Sequence, residues 1–256
     1  QIVSWNYFFA LLLCYRIFKP NFRTIDSTAP WSIYLSLGFL LPLIFLFLAK
    51  SIKHMGIAKT DAAQRLSLFI PILAAWLIFR EEFNTFKIIA LVIAFPALLL
   101  ILSKSDNNTH NKWLYPTLVF FGFGIIDILF KQIALQTNLP YTSSLFIIFS
   151  IAFLLIMFLA LYQVIIKNIK FGIINIPFGG IIGVLNLGNI LFYLKAHKAF
   201  AANPSTVFAA MNMGVIIIGS VVGIFLFNER LSTKNYLGLF IALTSIVLIT
   251  LSQLIK

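Results

Sequence analysis

The sequence predicts an all-α polytopic membrane protein, and three observations carry that expectation. Of its 256 residues, 61% are hydrophobic and 10% charged, against roughly 25% charged in a soluble domain. The apolar residues fall into nine long runs, each close to the ~20 residues a helix needs to cross a bilayer. No run alternates with a period of two, which removes the outer-membrane barrel and leaves helices as the way to satisfy every backbone group in lipid.

The runs are 1–18, 30–52, 60–79, 86–103, 113–130, 142–166, 177–199, 204–227 and 234–254. The first stops before Lys19-Pro20, the second lies between Pro30 and Lys53, and the third ends at Arg80. The fourth runs on to Lys104, the fifth lies between Lys112 and Lys131, and the sixth between Pro140 and Lys167. Pro177 and Pro204 open the seventh and eighth, and the ninth closes before Lys256. The hydrophilic stretch "SKSDNNTHNK" at 103–112 reads as a connecting loop in the middle of the chain. The net charge of +12 sits at helix ends and short loops, which suits lipid headgroups and not nucleic acid. A single cysteine, Cys14, leaves no disulfide within the chain and no cysteine metal cluster.

A repeat organises the runs. "AWLIFREEFNTFKIIALVIA" at 75–94 returns as "GIFLFNERLSTKNYLGLFIA" at 223–242, with six of twenty residues identical and an offset of 148. The same offset pairs 1–18 with 142–166, 30–52 with 177–199, 60–79 with 204–227 and 86–103 with 234–254. Run 113–130 alone has no partner. By analogy with the complete half, about 30 upstream residues with one more span are expected, which would make five helices plus five. Five is odd, so the two copies would cross the membrane in opposite senses, as inverted repeats of secondary transporters do.

The chain resembles the EamA-type carriers of the ten-helix drug/metabolite transporter superfamily. The resemblance rests on the two repeats, on the Glu closing the fourth helix of each ("IFREEFN", "LFNERLS"), on the Pro in "LFIPILAAWLIF", and on the short turns "SIKHMGIAKT" and "AFAANPST" before those helices. It implies a first repeat over 1–105, holding helices two to five without the first, and a second over 113–256, holding helices six to ten. It further implies a multi-pass carrier of the bacterial cytoplasmic (inner) membrane that moves a small organic solute by alternating access. Its cavity would be walled by helices three, four, eight and nine. The family orientation places nine Lys and Arg inside and ten outside, so charge alone does not fix the topology.

Candidate substrate-binding residues follow from polar side chains inside spans, which belong in a bundle interior. Asn186, Asn189, Tyr193 and His197 recur at spacings of three, four and four on one helix face. Their offset partners Gly38, Leu41, Phe45 and Ala49 are apolar. The alternative for this stripe is hydrogen bonding between helices. Asp61 and Arg65 are one turn apart and share a face with Gln64. Arg65 either holds Asp61 or offers its fork to a carboxylate or phosphate. Asn212, an offset partner of Gln64, and Asn6, beside Trp5, complete the set. The basic bias of these residues favours an anionic or zwitterionic solute. Asp127, with Lys131 one turn on, and Asp61 are the coupling candidates, since intramembrane carboxylates serve proton relays. An Asp127–Lys131 pair is the other reading.

Glu81 and Glu229 are read as structural, each meeting the positive end of the next helix. Gly179 with Gly183, and Gly219 with Gly223, read as small-residue contact faces, and Pro71 as a bend. No hydrolase, phosphate-loop or zinc-protease motif occurs, and His54, His110 and His197 lie on separate segments. The expectation is a transporter and not an enzyme, with no cofactor, no metal and no catalytic residue. A non-transporting scaffold subunit and an intramembrane transferase are the competing readings.

Overall fold

The computed structural model describes residues 1–20, 29–102, 114–136, 140–168, 170, 172–227 and 232–254. Their regular elements are all helices, with no strand among the described residues: α1 (Ile2–Phe18), α2 (Trp31–Leu66), α3 (Phe69–Leu77), α4 (Thr85–Leu102), α5 (Leu114–Leu135), α6 (Tyr141–Ile165), α7 (Asn175–Ala199), α8 (Pro204–Phe227) and α9 (Thr233–Leu254). Among the described residues, four stretches are long and apolar enough to cross a membrane: Trp31–Met55, Leu114–Leu135, Tyr141–Ile165 and Asn175–Ala199. Five shorter apolar helical stretches accompany them.

The helix boundaries differ from the expected runs at one place. The segment "SIKHMGIAKT", expected as a turn, keeps helical bonding inside α2. Its path still folds back, because the buried hydroxyls of Ser51 and Thr60 hydrogen-bond at 2.7 Å, whereas residues nine apart on a straight helix stand roughly 13 Å apart. The true interruption comes later, at Ser67–Leu68. Pro71 has no N–H, and its ring clashes with the carbonyl four residues back, which is that of Ser67. The chain there tightens into i→i−3 bonds, Leu68 N–H to Arg65 O at 3.2 Å and Ile70 N–H to Ser67 O at 3.0 Å. α3 then starts afresh.

The helices form two compact units. The first contains Gln1–Leu46 and Leu129–Ala199, in which α1 packs on α6 and α7. The glycines of α7 set the distance of approach. A Cβ at Gly183 would lie 2.6 Å from the Asn6 carbonyl oxygen and 3.0 Å from Phe9 Cβ, and one at Gly179 would collide with Trp5. The α1 backbone therefore rests directly on α7. Gly38 on α2 plays the same part toward α6, where an added Cβ would stand 2.5 Å from Ile151 Cγ2. Small residues matter because lipid is as apolar as leucine, so two helices gain by close contact and polar bonds, not by hiding from solvent. The polar bonds include Tyr34 with Ser144 at 2.9 Å and Ser4 Oγ to Ile156 O at 3.4 Å.

The second unit contains Phe47–Ile128 and Phe200–Lys256. Here α4 packs on α9, and α8 on α3, α4 and α9, around Ala90, Ala209 and Ile249. Ser245 Oγ donates to Ala90 O at 2.8 Å and Asn84 Nδ2 to Ser252 O at 2.8 Å. In three places a helix rests on its own partner at the 148 offset: α1 on α6, α3 on α8 and α4 on α9. The expected small face at Gly219 is not used. Among the described residues nothing lies within 4 Å of the position its Cβ would take, and the side chain position of Gly223 lies outside the described residues.

Gly183→Ala should destabilise the protein by about 1–3 kcal/mol through overpacking. Gly188→Ala, where nothing lies within 4 Å, should be neutral or slightly stabilising. Thermal melting in detergent checks the contrast, and equal midpoints would remove the claim that α1 needs the glycine.

Candidate substrate-binding residues

In the first unit, Asn6 is 1% exposed on α1 and faces α7. Asn186 Nδ2 donates to Asn6 Oδ1 at 3.3 Å, so two of the sequence-predicted residues meet, 180 positions apart in the chain. The α7 stripe itself divides by environment. Tyr193 and His197 are buried, with ring centroids 4.5 Å apart, and Phe130 meets Tyr193 edge-on at 6.3 Å. Asn186 is half-buried, while Asn189 is exposed among exposed Leu185 and Phe192. Lys131, fully buried, donates from Nζ to the His197 carbonyl at 3.4 Å. That carbonyl belongs to the last turn of α7, where a cation answers the negative end of the helix.

In the second unit, Arg65 stands one residue before the end of α2. Its Nη2 lies 3.3 Å from Asp61 Oδ1, with the Arg65 side chain 16% and the Asp61 side chain 38% exposed. Among the described residues Arg65 Nε is buried and has no hydrogen-bond partner. The side chain borders a cavity of about 40 Å³, walled by Leu68, Phe69, Ile72, Leu91, Phe95 and Met213. Phe69 and Phe95 meet edge-on there at 4.5 Å. A cavity of that size has room for about one or two waters and not for an organic solute, and what the arrangement offers is a guanidinium with an open Nε beside an aromatic wall. Gln64 is half-buried on the same element. Asn212 turns inward on its own helix, donating to Phe208 O at 3.0 Å. Asp127 is half-buried on α5.

Glu81 corrects the expectation made for it. The next helix is capped by Asn84, whose Oδ1 accepts from Lys87 N–H at 2.9 Å. Arg80 takes a left-handed conformation, φ 51°, and Glu81 N–H returns to Ala75 O at 3.0 Å. This turn aims the Glu81 carboxylate at the start of α8 instead. Oε2 accepts from Ser205 N–H at 2.8 Å, and Oε1 from Ser205 Oγ at 2.6 Å and from Lys87 Nζ at 2.6 Å. Lys87 Nζ also donates to Asn203 Oδ1 at 3.0 Å. Lys87, Ser205 and Asn203 escape a reading of the sequence alone, although a lysine inside the first turn of a span signals that a buried acid waits nearby. Glu229 lies outside the described residues.

The sequence profile of the EamA-like transporter family matches residues 1–103. An uncharacterized protein of Haemophilus influenzae (strain ATCC 51907 / DSM 11121 / KW20 / Rd) is 42% identical over 258 residues, covering 96% of this chain and 86% of the relative. The chain belongs to the EamA-like transporter family. The crystal structure of another protein matches at a TM-score of 0.70 with 9% identity. The match covers 98% of the EamA-like chain and 87% of that protein, and at that identity it shows a shared fold. Membership makes this EamA-like protein a multi-pass membrane protein of a transporter family. The matched segment holds Asn6, Asp61, Gln64, Arg65, Pro71 and Glu81.

Lys87→Met, which leaves the Glu81 charge buried without its cation, should destabilise by about 3 kcal/mol or more. Adding Glu81→Gln should recover a large part of that loss. Unfolding titrations of the two variants test this, and a double variant worse than the single would show that the pair is not the coupled element.

Proposed function

We propose that this protein is a secondary carrier of the bacterial cytoplasmic membrane, that it moves a small organic metabolite by alternating access, and that Arg65 receives an anionic group of the solute. Arg65 carries the reading. It is largely buried, its Nε has no hydrogen-bond partner among the described residues, and it borders a small, aromatic-walled cavity that would have to widen to admit a solute. Such a cation is stabilised by a planar anion that fills its fork, and Asp61 occupies only Nη2. Exchange of Asp61 for a solute carboxylate or phosphate would spare the cation from ever standing bare in a poorly solvated site. The polar residues of α7, Asn186, Asn189, Tyr193 and His197, with Asn6, are proposed solute contacts on the first unit. Transport is either proton-coupled, with Asp127 or Asp61 as carrier, or an exchange.

Uptake of a panel of carboxylates, amino acids, phosphate esters and organic cations into proteoliposomes tests the proposal. Saturable uptake of an anionic or zwitterionic solute is expected, with Arg65→Ala lowering kcat/KM about tenfold or more, as loss of a charged hydrogen bond does. Arg65→Lys should fall between, and Asp61→Asn should lower KM by removing the competing anion. Equal transport by Arg65→Ala and the parent would end the assignment of Arg65.

Proton coupling through Asp127 predicts that, under an imposed proton gradient, Asp127→Asn abolishes uphill accumulation while sparing counterflow exchange. Undiminished accumulation in that variant would take Asp127 out of coupling.

A further inference from the structure

The run Arg80-Glu81-Glu82 places three charges at one turn between α3 and α4, and they are used differently. Glu81 is 3% exposed and its oxygens are taken by Lys87 and Ser205. Arg80 and Glu82 are both exposed, and among the described residues neither has an ion-pair partner. Both line a groove of about 770 Å³ whose wall is apolar: Ile72, Leu73, Trp76 and Ile88. Trp76 is 59%, Leu73 55% and Ile88 48% exposed. In a membrane protein such surfaces meet acyl chains, and a tryptophan at a helix end suits the headgroup level.

We propose that this groove binds a phospholipid with a primary ammonium headgroup, of the phosphatidylethanolamine class. The lipid phosphate takes the Arg80 fork. Its ammonium donates to the Glu82 carboxylate, and an acyl chain covers Trp76, Leu73 and Ile88. Charge decides among headgroups. A choline headgroup has no N–H for Glu82, and a glycerol headgroup brings no cation to it and adds net negative charge beside it. The site is distinct from Arg65, and its occupancy does not depend on the transported solute.

The test is native mass spectrometry of the full chain in detergent, titrated in parallel with palmitoyl-oleoyl phosphatidylethanolamine, phosphatidylcholine and phosphatidylglycerol. The ethanolamine lipid should bind about fivefold more tightly than either, the scale of one partly exposed ion pair. Glu82→Gln should bring the ethanolamine lipid level with the choline lipid, and Arg80→Gln should weaken both. Equal binding of all three by the parent, a preference for the glycerol lipid, or an ethanolamine preference that survives both substitutions would overturn the proposal. Brominated acyl chains should quench a fluorescence component that vanishes in Trp76→Phe, and quenching indifferent to that substitution would place the lipid elsewhere. Free glycerophosphoethanolamine should not displace the lipid at equal concentration. Displacement as effective as that by the lipid itself would assign the site to a soluble headgroup and refute the lipid.

Discussion

A carboxylate removed from water has to be answered by donors, and the answer given to Glu81 organises the second unit. The first turn of α8 contains no acidic residue of its own, so the positive end of that helix lacks a local charge. Glu81 supplies one across 124 positions of sequence, through the amide and hydroxyl of Ser205. Lys87 then neutralises the acid and ties in Asn203. Four polar groups that would each be costly alone become one satisfied set. The α3–α4 turn, the start of α4 and the start of α8 are fastened at a single point.

The first unit depends on closeness more than on charge. Gly179 and Gly183 allow the α1 backbone to lie against α7, and Gly38 does the same for α2 against α6. The Asn6–Asn186 bond is compatible with this approach, since the helices already touch. Some polar side chains there satisfy one another, as Tyr34 does with Ser144. The glycines are not all used alike: Gly183 is packed, while among the described residues nothing lies within 4 Å of the position a Cβ at Gly219 would take.

Much of the helix layout was legible in the sequence, because membrane spans announce themselves by length and apolarity. Seven of the nine runs agree with helices to within about five residues at each end, and the two exceptions, 30–52 and 60–79, meet at one instructive segment. Hydropathy reads "SIKHMGIAKT" as a break, but backbone bonding does not depend on polarity, so the helix persists through the corner. The candidate site was legible in part. Spacing put Arg65 next to Asp61 and stacked the α7 stripe, since those are distances along one helix. It could not tell that Asn189 is exposed while His197 is buried, nor that Glu81 reaches α8, because spacing fixes a face and says nothing of the neighbour across from it.

The interruption at Ser67–Leu68 has a mechanical meaning. A continuous helix transmits rotation along its whole length, so any residue on it turns with all the others. Pro71 removes a donor at the junction where α2 stops and α3 begins, and the stiffness of the rod is lowered there. Arg65 belongs to one rod and Phe69 to the next, so the cation and the aromatic wall beside it stand on opposite sides of the weak point.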